Sequence, residues 1–247
     1  MQWFSMQSAG NSFAVIDGRG KILDFPLLAK ELCAKGNADG FMALGESETA
    51  DFQMHFYNRD GSRAAMCGNG CRCICRFAWE LGLVDEAMTV QTDAGVIPGK
   101  RLSETCYQIR LPVPEKIRQQ IRPGVDFCVC GVPHAAVETA QIKKEALYGR
   151  ARALRKELDC NVNFYTRLDG TTVKVLTYER GVEDFTPACG TGCGALAAVL
   201  HAAGKLPENC LTAINPGGTL EMEITEGSIF QTGKVEILYK GVFCNTP

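Results

Sequence analysis

The chain has 247 residues, with 26 Lys and Arg against 28 Asp and Glu, which gives a net charge of −2 at pH 7. This length allows one large domain or two smaller ones, and the lack of a basic excess argues against binding to nucleic acid. With 46% hydrophobic and 22% charged residues, the composition is that of a globular protein and excludes a disordered chain.

The first residues predict neither a secretory signal nor a membrane anchor. No Lys or Arg precedes Arg19, and no apolar run approaches the ~20 residues of a membrane span. We therefore expect a cytoplasmic protein that does not bind membranes and keeps its 13 cysteines reduced. Because that count is odd, a complete set of intrachain disulfides is excluded.

Alternating or β-branched runs predict strands along the whole chain. They cover residues 13–17, 51–58, 87–92, 107–113, 127–132, 161–168, 171–178 and 234–240. Helices are predicted at residues 71–83, 140–158 and 192–206. The first and third of these end near a glycine, which favours a helix stop. The third is so apolar that we expect it to be buried.

A repeat indicates that the chain consists of two similar halves. The segment CGNGC of residues 67–71 recurs as CGTGC at 189–193, an offset of 122 residues. Two further pairs of segments, which begin at Gly10 and Gly131 and surround Tyr57 and Tyr178, keep an offset of 121 residues. Three resemblances in one register indicate duplication. We infer an α+β chain with halves at 1–114 and 115–239, joined through the proline-containing, charged residues 113–124.

The two repeated motifs suggest chemistry at Cys67 and Cys189. Each cysteine stands where a glycine loop turns into a helix, so its thiol lies near free backbone NH groups and the positive end of the helix dipole. This position is expected to lower the thiol pKa from about 8.5 towards ~3.5–7.5. One thiolate and one thiol on opposite faces of a carbon could invert a stereocentre, because one removes a proton and the other supplies one.

The other cysteines have a simpler interpretation. Neither repeated motif has the CxxC spacing of zinc or thioredoxin-like redox sites. We expect most of the remaining thiols to be small apolar core residues, namely Cys33, Cys71, Cys73, Cys75, Cys106, Cys128, Cys130, Cys160, Cys210 and Cys244. A thiol-based or metal-binding protein without enzymatic activity stays a third hypothesis.

Six motifs follow one another along nearly the whole chain: GNSFAVID, FYNRDGSRAAMCGNGCRC, NVNF, YERGVED, ACGTG and NPGG. In this order they resemble the diaminopimelate epimerase family, although CGxG alone would also fit relatives of proline racemase. The resemblance implies epimerisation of LL- to meso-diaminopimelate, in lysine and peptidoglycan precursor biosynthesis, without a cofactor or a metal. It also implies two pseudosymmetric domains, each a mixed or antiparallel sheet wrapped around a central Cys-led helix. The active site would lie in the interdomain cleft, and a C-terminal strand, 240–247, would return to the first domain.

The resemblance also assigns roles to individual residues. Cys67 and Cys189 correspond to the catalytic pair, and Glu179 and His134 are expected to help set their protonation. Expected substrate-binding residues are Asn11, Gly68, Asn69, Gly190 and Thr191 at the reacting end and Asn58, Asn161 and Arg180 at the distal end. Arg180 suits this role physically, because a guanidinium binds a carboxylate through two hydrogen bonds.

Four positions depart from the family pattern. Val132 replaces an Asn that contacts the distal end of the substrate, Phe185 precedes Thr186 where Glu is usual, and Ser12 and Gly40 replace Asp and Gln. These changes leave open a racemase that uses the same cysteine pair on another amino acid, such as histidine, lysine or glutamate, or on several. In either case we expect a small amino-acid substrate and no pyridoxal phosphate. Whether the chain forms a homodimer stays open.

Overall fold

The computed structural model describes residues 1–243, so that Cys244 and the end of the predicted strand 240–247 lie outside the described residues. The chain separates into two compact units. The first consists of Met1–Ile109 and the described residues from Gly233 onward, and the second of Arg110–Thr232. The bounds of the duplicated halves, 1–114 and 115–239, stay predictions from the repeat.

The first unit begins with nine elements. They are β1 (Gln2–Ser8), β2 (Asn11–Asp17), α1 (Phe25–Gly36), β3 (Gly40–Gly45), β4 (Phe52–Asn58), α2 (Gly68–Glu80), β5 (Ala87–Thr92), β6 (Gly95–Arg101) and β7 (Cys106–Arg110). The second unit continues with β8 (Glu115–Arg122), β9 (Val125–Cys130), β10 (Val132–Glu138), α3 (Lys144–Leu158), β11 (Asn161–Arg167), β12 (Thr172–Glu179), β13 (Asp184–Thr186), α4 (Gly190–Ala202), β14 (Cys210–Asn215), β15 (Gly218–Thr225) and β16 (Ser228–Lys234). The last strand, β17 (Glu236–Val242), belongs to the first unit.

The two units share one pattern of strand pairing. In the first, the order is β17–β1–β2–β3–β4–β5–β6–β7, with β2–β3 and β4–β5 parallel and the other described pairs antiparallel. In the second, the order is β8–β9–β10–β11–β12–β14–β15, with β10–β11 and β12–β14 parallel. Even the register repeats, because Phe13 pairs with Gly40 and His134 with Asn161. The predicted pseudosymmetric α+β fold is confirmed.

Helices α2 and α4 form the centres of the two units. Helix α2 contacts strands β1 to β6, and α4 contacts β8 to β11 together with β14 and β15. Both are buried over most of their length, as predicted for the apolar α4. After each helix the chain turns at a glycine with positive φ, 68° at Gly82 and 66° at Gly204, a conformation that favours glycine. Among residues 1–243, no helix is long and apolar enough to cross a lipid bilayer.

Helices α1 and α3 cover the outer faces of the sheets. Helix α1 packs on β2, β3 and β4, and α3 packs on β11 and β12. The sequence patterns considered above predict α3 but not α1. Helix α1 begins at a local signal, because the Asp24 carboxylate accepts a hydrogen bond of 3.0 Å from the Leu27 NH and Pro26 lies in the first turn. Its apolar face then buries Leu28 and Leu32.

Residues 113–124, the predicted junction between the halves, contain a strand. Most of this segment is β8, which pairs antiparallel with β9 in an irregular register. Its side chains are almost all exposed, so they lack the alternation of a half-buried strand. Positive φ angles at Lys116 and Gln120 interrupt the strand further. Strand β8 pairs with β9 as β17 pairs with β1, and is therefore the counterpart of the C-terminal strand.

Candidate active site

Cys67 immediately precedes the first turn of α2. Its backbone is extended, with φ −138° and ψ 123°, and its carbonyl accepts a hydrogen bond of 2.7 Å from the Cys71 NH. The side chain is partly exposed. Gly68 and Asn69 follow in the first turn, where backbone NH groups lack partners within the helix. This is the anion-binding geometry that the CGNGC motif predicts.

A hydrogen-bonded network holds Asn69 beside Asn11. The Asn69 amide nitrogen donates to Asn11 Oδ1 at 2.5 Å, and the Arg72 guanidinium donates to Asn69 Oδ1 at 2.6 Å. Because a guanidinium only donates, it fixes which atom of the amide faces it. Arg72 is fully buried and also donates to Ser8 Oγ at 3.0 Å. The motif predicts Asn69 and Asn11 but not Arg72, whose only sequence signal is a charge inside a buried helix.

Asn58 lies apart from this network in the first unit. It is the last residue of β4 and is exposed. Among the described residues, its amide nitrogen donates to Ser62 Oγ at 2.9 Å. The structure therefore joins Asn11 to Asn69 and leaves Asn58 at the end of a strand.

Cys189 occupies the equivalent position before α4, but its surroundings differ from those of Cys67. It is only 7% exposed. Burial raises the pKa of its thiol well above the usual value, and the negative charge of Glu179 raises it further. The lowered pKa predicted from the helix N-terminus is therefore wrong for Cys189, because burial and a neighbouring carboxylate outweigh the helix. The structure favours the neutral thiol.

Glu179 ends β12 beside the Cys189 thiol. Burial raises the pKa of this carboxyl, while hydrogen bonds from Thr186 and Cys189 lower it in part. The Thr186 hydroxyl donates to Glu179 Oε1 at 2.5 Å. Thr186 lies on the short strand β13, which pairs with β12, so the hairpin holds the carboxylate in place. In this arrangement the Cys189 thiol can donate to Glu179.

His134 approaches Cys189 through Thr191. The His134 Nε2 lies 3.1 Å from Thr191 Oγ1, which in turn lies 3.6 Å from Cys189 Sγ. Burial lowers the pKa of His134 to about 3, and the positive charge of Arg180 acts in the same direction. The imidazole is therefore neutral at pH 7. On its other side it meets Asn163, a fully buried residue of β11 that the sequence reasoning does not single out.

The residues expected to bind the distal end of a substrate lie together at the ends of β11 and β12. Asn161 Oδ1 accepts a hydrogen bond of 2.8 Å from the backbone NH of Arg180. The Arg180 guanidinium is half-exposed and forms an ion pair of 2.9 Å with Asp159, the residue that directly follows α3. Part of the expected carboxylate-binding group is thus already engaged by a side chain of the protein.

Two of the unusual positions differ in their surroundings. The Phe185 ring packs on Tyr178 and Tyr148, with centroid distances of 5.4 and 6.2 Å, so it belongs to the aromatic cluster between α3 and the sheet. Val132 begins β10 and is 37% exposed. Val132 is therefore the more exposed of the two apolar side chains.

The remaining cysteines are mostly core residues, as predicted. Cys210 is exposed and Cys106 is half-buried, so that prediction is wrong for these two. Within residues 1–243, no group of three or more His, Cys, Asp and Glu side chains could hold a metal ion.

Comparison with protein families supports the resemblance seen in the motifs. The sequence profile of the family described as diaminopimelate epimerase matches residues 4–105 and 127–238. A diaminopimelate epimerase of Aquifex aeolicus is 34% identical to this chain, and the match covers 98% of this chain and 97% of the relative. A diaminopimelate epimerase of Campylobacter jejuni subsp. doylei is also 34% identical, and the match covers 97% of this chain and 98% of the relative.

Solved structures match the fold over nearly its whole length. A hydroxyproline epimerase from Agrobacterium vitis, with bound trans-4-OH-L-proline, superposes with a TM-score of 0.70 at 17% identity and covers 98% of this chain and 90% of that one. A Bacillus anthracis phenazine biosynthesis protein of the PhzF family gives a TM-score of 0.73 at 14% identity and covers 99% of both. At these identities the likeness concerns the fold.

Proposed function

The chain belongs to the diaminopimelate epimerase family and is an isomerase, and we propose that it interconverts LL- and meso-diaminopimelate by proton transfer at one α-carbon. The observation that carries this proposal is the pair of CGxG cysteines, each at the start of a central helix, in a chain that resembles named epimerases along its whole length. The proposal includes a cytoplasmic location, where thiols stay reduced.

The proposed reaction uses one cysteine on each face of the α-carbon. The Cys67 thiolate takes the α-proton, and the bonding electron pair of the C–H bond moves into the carboxylate-stabilised carbanion. The Cys189 thiol then gives its proton to the opposite face, which leaves Cys67 as a thiol and Cys189 as a thiolate. No oxidant, reductant or cofactor is consumed, and the reverse reaction uses the same two groups in exchanged roles.

The asymmetry of the surroundings supports this assignment of the resting state. Burial and Glu179 raise the pKa of the Cys189 thiol, which suits a proton donor. At Cys67 the position equivalent to Thr191 is Asn69, an amide held by Arg72 and Asn11. The carboxylate of the reacting amino acid would bind at the NH groups that begin α2 and α4.

A direct test follows the α-hydrogen. With LL-diaminopimelate in deuterated water, we expect deuterium at the α-carbon and formation of the meso isomer. Cys67→Ser and Cys189→Ser should each lose epimerisation, while Cys210→Ser, an exposed thiol, should behave as wild type. Wild-type protein that exchanges no α-hydrogen, or a Cys67→Ser protein with normal turnover, would refute the proposal.

A second candidate is a racemase of another amino acid with the same thiol pair. It is favoured by Val132 in place of a polar residue and by the engagement of Arg180 with Asp159. A panel of L-amino acids that includes histidine, lysine and glutamate, followed by chiral chromatography, separates the two. Faster turnover of a member of the panel than of LL-diaminopimelate would select this second candidate.

A further inference from the structure

A chain of buried hydrogen bonds leads from the central strands of the second unit to Cys189. It passes from Thr177 on β12 to Asn163 on β11, then to His134 on β10 and to Thr191 at the start of α4. Asn163 is 0% exposed, and Thr177 and His134 are 1% exposed. Burying a polar side chain this deep costs free energy unless the group is hydrogen-bonded. The side chains of this chain of contacts are accordingly hydrogen-bonded to one another.

The direction is fixed at Asn163 by a backbone carbonyl. The Asn163 side-chain nitrogen lies 2.9 Å from the Ala135 carbonyl oxygen, which can only accept a hydrogen bond. The amide oxygen therefore faces Thr177, whose hydroxyl donates to it at 3.0 Å. The second hydrogen of the same nitrogen points to His134 Nδ1 at 3.2 Å.

The tautomer of His134 follows from this contact. Because Nδ1 accepts from Asn163, the ring proton of the neutral imidazole is on Nε2. Nε2 then donates to Thr191 Oγ1, and the single hydroxyl hydrogen of Thr191 is left to point at Cys189 Sγ. We infer that Asn163 is a positioning residue that holds His134 in the Nε2–H tautomer, so that Thr191 donates a hydrogen bond to the Cys189 thiolate.

This arrangement gives Cys189 a partner in each protonation state. As a thiol it donates to Glu179, and as a thiolate it accepts from Thr191. The second partner is needed because burial and Glu179 both disfavour the thiolate that remains after proton donation. The inference rests on the proposed function, since that thiolate forms only if Cys189 exchanges a proton with the substrate.

The packing of α4 against β11 supports a specific place for Asn163. A Cβ added to Gly192 would overlap with Asn163 Oδ1 and would also crowd the Cys189 side chain. The second glycine of the CGTGC motif therefore makes room for the amide as well as exposing the helix terminus. The corresponding glycine of the first motif, Gly70, faces Met42 and Phe13, so the first unit has no amide there.

The decisive variant is Asn163→Asp, because a carboxylate only accepts and would draw the ring proton to Nδ1. We expect ¹⁵N–¹H spectra of histidine-labelled protein to show Nε2–H for His134 in the wild type and Nδ1–H in Asn163→Asp. We expect the turnover number to fall about 10- to 100-fold, the effect of one hydrogen bond to a charged group, with little change in KM. Thr166→Val, which removes a hydroxyl that donates to the Thr139 carbonyl from the same strand β11, is the control and should change neither.

The outcomes separate the inference from the proposed function. The spectra are recorded without substrate, so they decide the tautomer even if the wild type does not turn over LL-diaminopimelate. Should Asn163→Asp not fold, Asn163→Leu removes the donor at similar size, and we expect a mixture of the two tautomers. Nε2–H alone in the variant that folds, or turnover within about threefold of wild type, would overturn the role of Asn163.

Discussion

Replacing Glu179 by Gln should lower the pKa of the Cys189 thiol. The substitution removes the negative charge but keeps an amide oxygen that can accept from the Thr186 hydroxyl, so the hairpin of β12 and β13 should stay in place. In the wild-type protein, burial and this charge together raise the thiol pKa. Only the contribution of the charge is lost, because the cysteine remains buried.

The size of the effect follows from the contact between the two side chains. A carboxylate in hydrogen-bond contact with the sulfur is about 4 Å from it, and at an effective dielectric constant of about 20 two unit charges at this distance interact by ~4 kcal/mol. One pKa unit corresponds to ~1.4 kcal/mol. We therefore expect the pKa of Cys189 to fall by about three units in Glu179→Gln.

The ultraviolet absorbance of the thiolate measures this pKa directly. Each titration is compared with that of the same protein carrying Cys189→Ser, so that the difference belongs to one sulfur. Glu183→Gln is the matched control, because Glu183 lies on the turn after β12 but is exposed and paired with Arg155. An unchanged titration in Glu179→Gln, or an equal shift in Glu183→Gln, would refute the electrostatic account of the raised pKa.

Two further predictions concern stability. The pKa of His134 is lowered to about 3 in the folded state, against ~6.5 in the unfolded chain. Its contribution to the free energy of unfolding is therefore complete above pH ~6.5 and decreases as the pH falls towards 3. The loss amounts to ~2 kcal/mol by pH ~5. Urea unfolding at pH ~6.5 and pH ~5 should show this loss in the wild type and in the exposed control His201→Asn, but not in His134→Asn. Gly192→Ala should destabilise the fold by ~1–3 kcal/mol because its Cβ overlaps Asn163 Oδ1. Gly149 lies in open space within α3, so Gly149→Ala should instead stabilise the fold by ~0.5–1 kcal/mol. If the melting temperatures of Gly192→Ala and Gly149→Ala shift in the same direction, this packing argument is contradicted.

Most of the fold is predictable because it depends on local pattern and on the duplication. Alternating strands and glycine-stopped helices are encoded over a few residues, and the repeat assigns both halves to one topology. The errors occur where local pattern is weak. Strand β8 is exposed on both faces and has no alternation. Helix α1 carries Pro26 in its first turn, a residue that is accepted there but breaks a helix elsewhere.

The partners of the site residues are less predictable than the site residues themselves. The motifs identify Cys189, Glu179 and His134. The role of Asn163, in contrast, depends on its contacts with the neighbouring strand β10. In sequence Asn163 is the second of two asparagines in NVNF, a run in which all four residues are buried. A polar residue in a strand covered on both faces is the one signal available, since burial there requires pairing. The raised pKa of Cys189 escapes prediction for the same reason, because it depends on burial and on the approach of β12.

In the proposed reaction, two copies of the same backbone hold an acid in one unit and a base in the other. Strands β4 and β12 end at equivalent positions, yet Asn58 stands where the second unit has Glu179. Likewise, Phe13 occupies the third position of β2, where β10 has His134. Duplication alone would give the two cysteines the same surroundings, whereas in the proposed reaction one of them starts as a thiolate and the other as a thiol. The second unit has a carboxylate and an imidazole where the first has an amide and a phenyl ring, so the surroundings of Cys189 differ from those of Cys67 while the topology stays the same, and the carboxylate is one of the causes that raise the pKa of the Cys189 thiol.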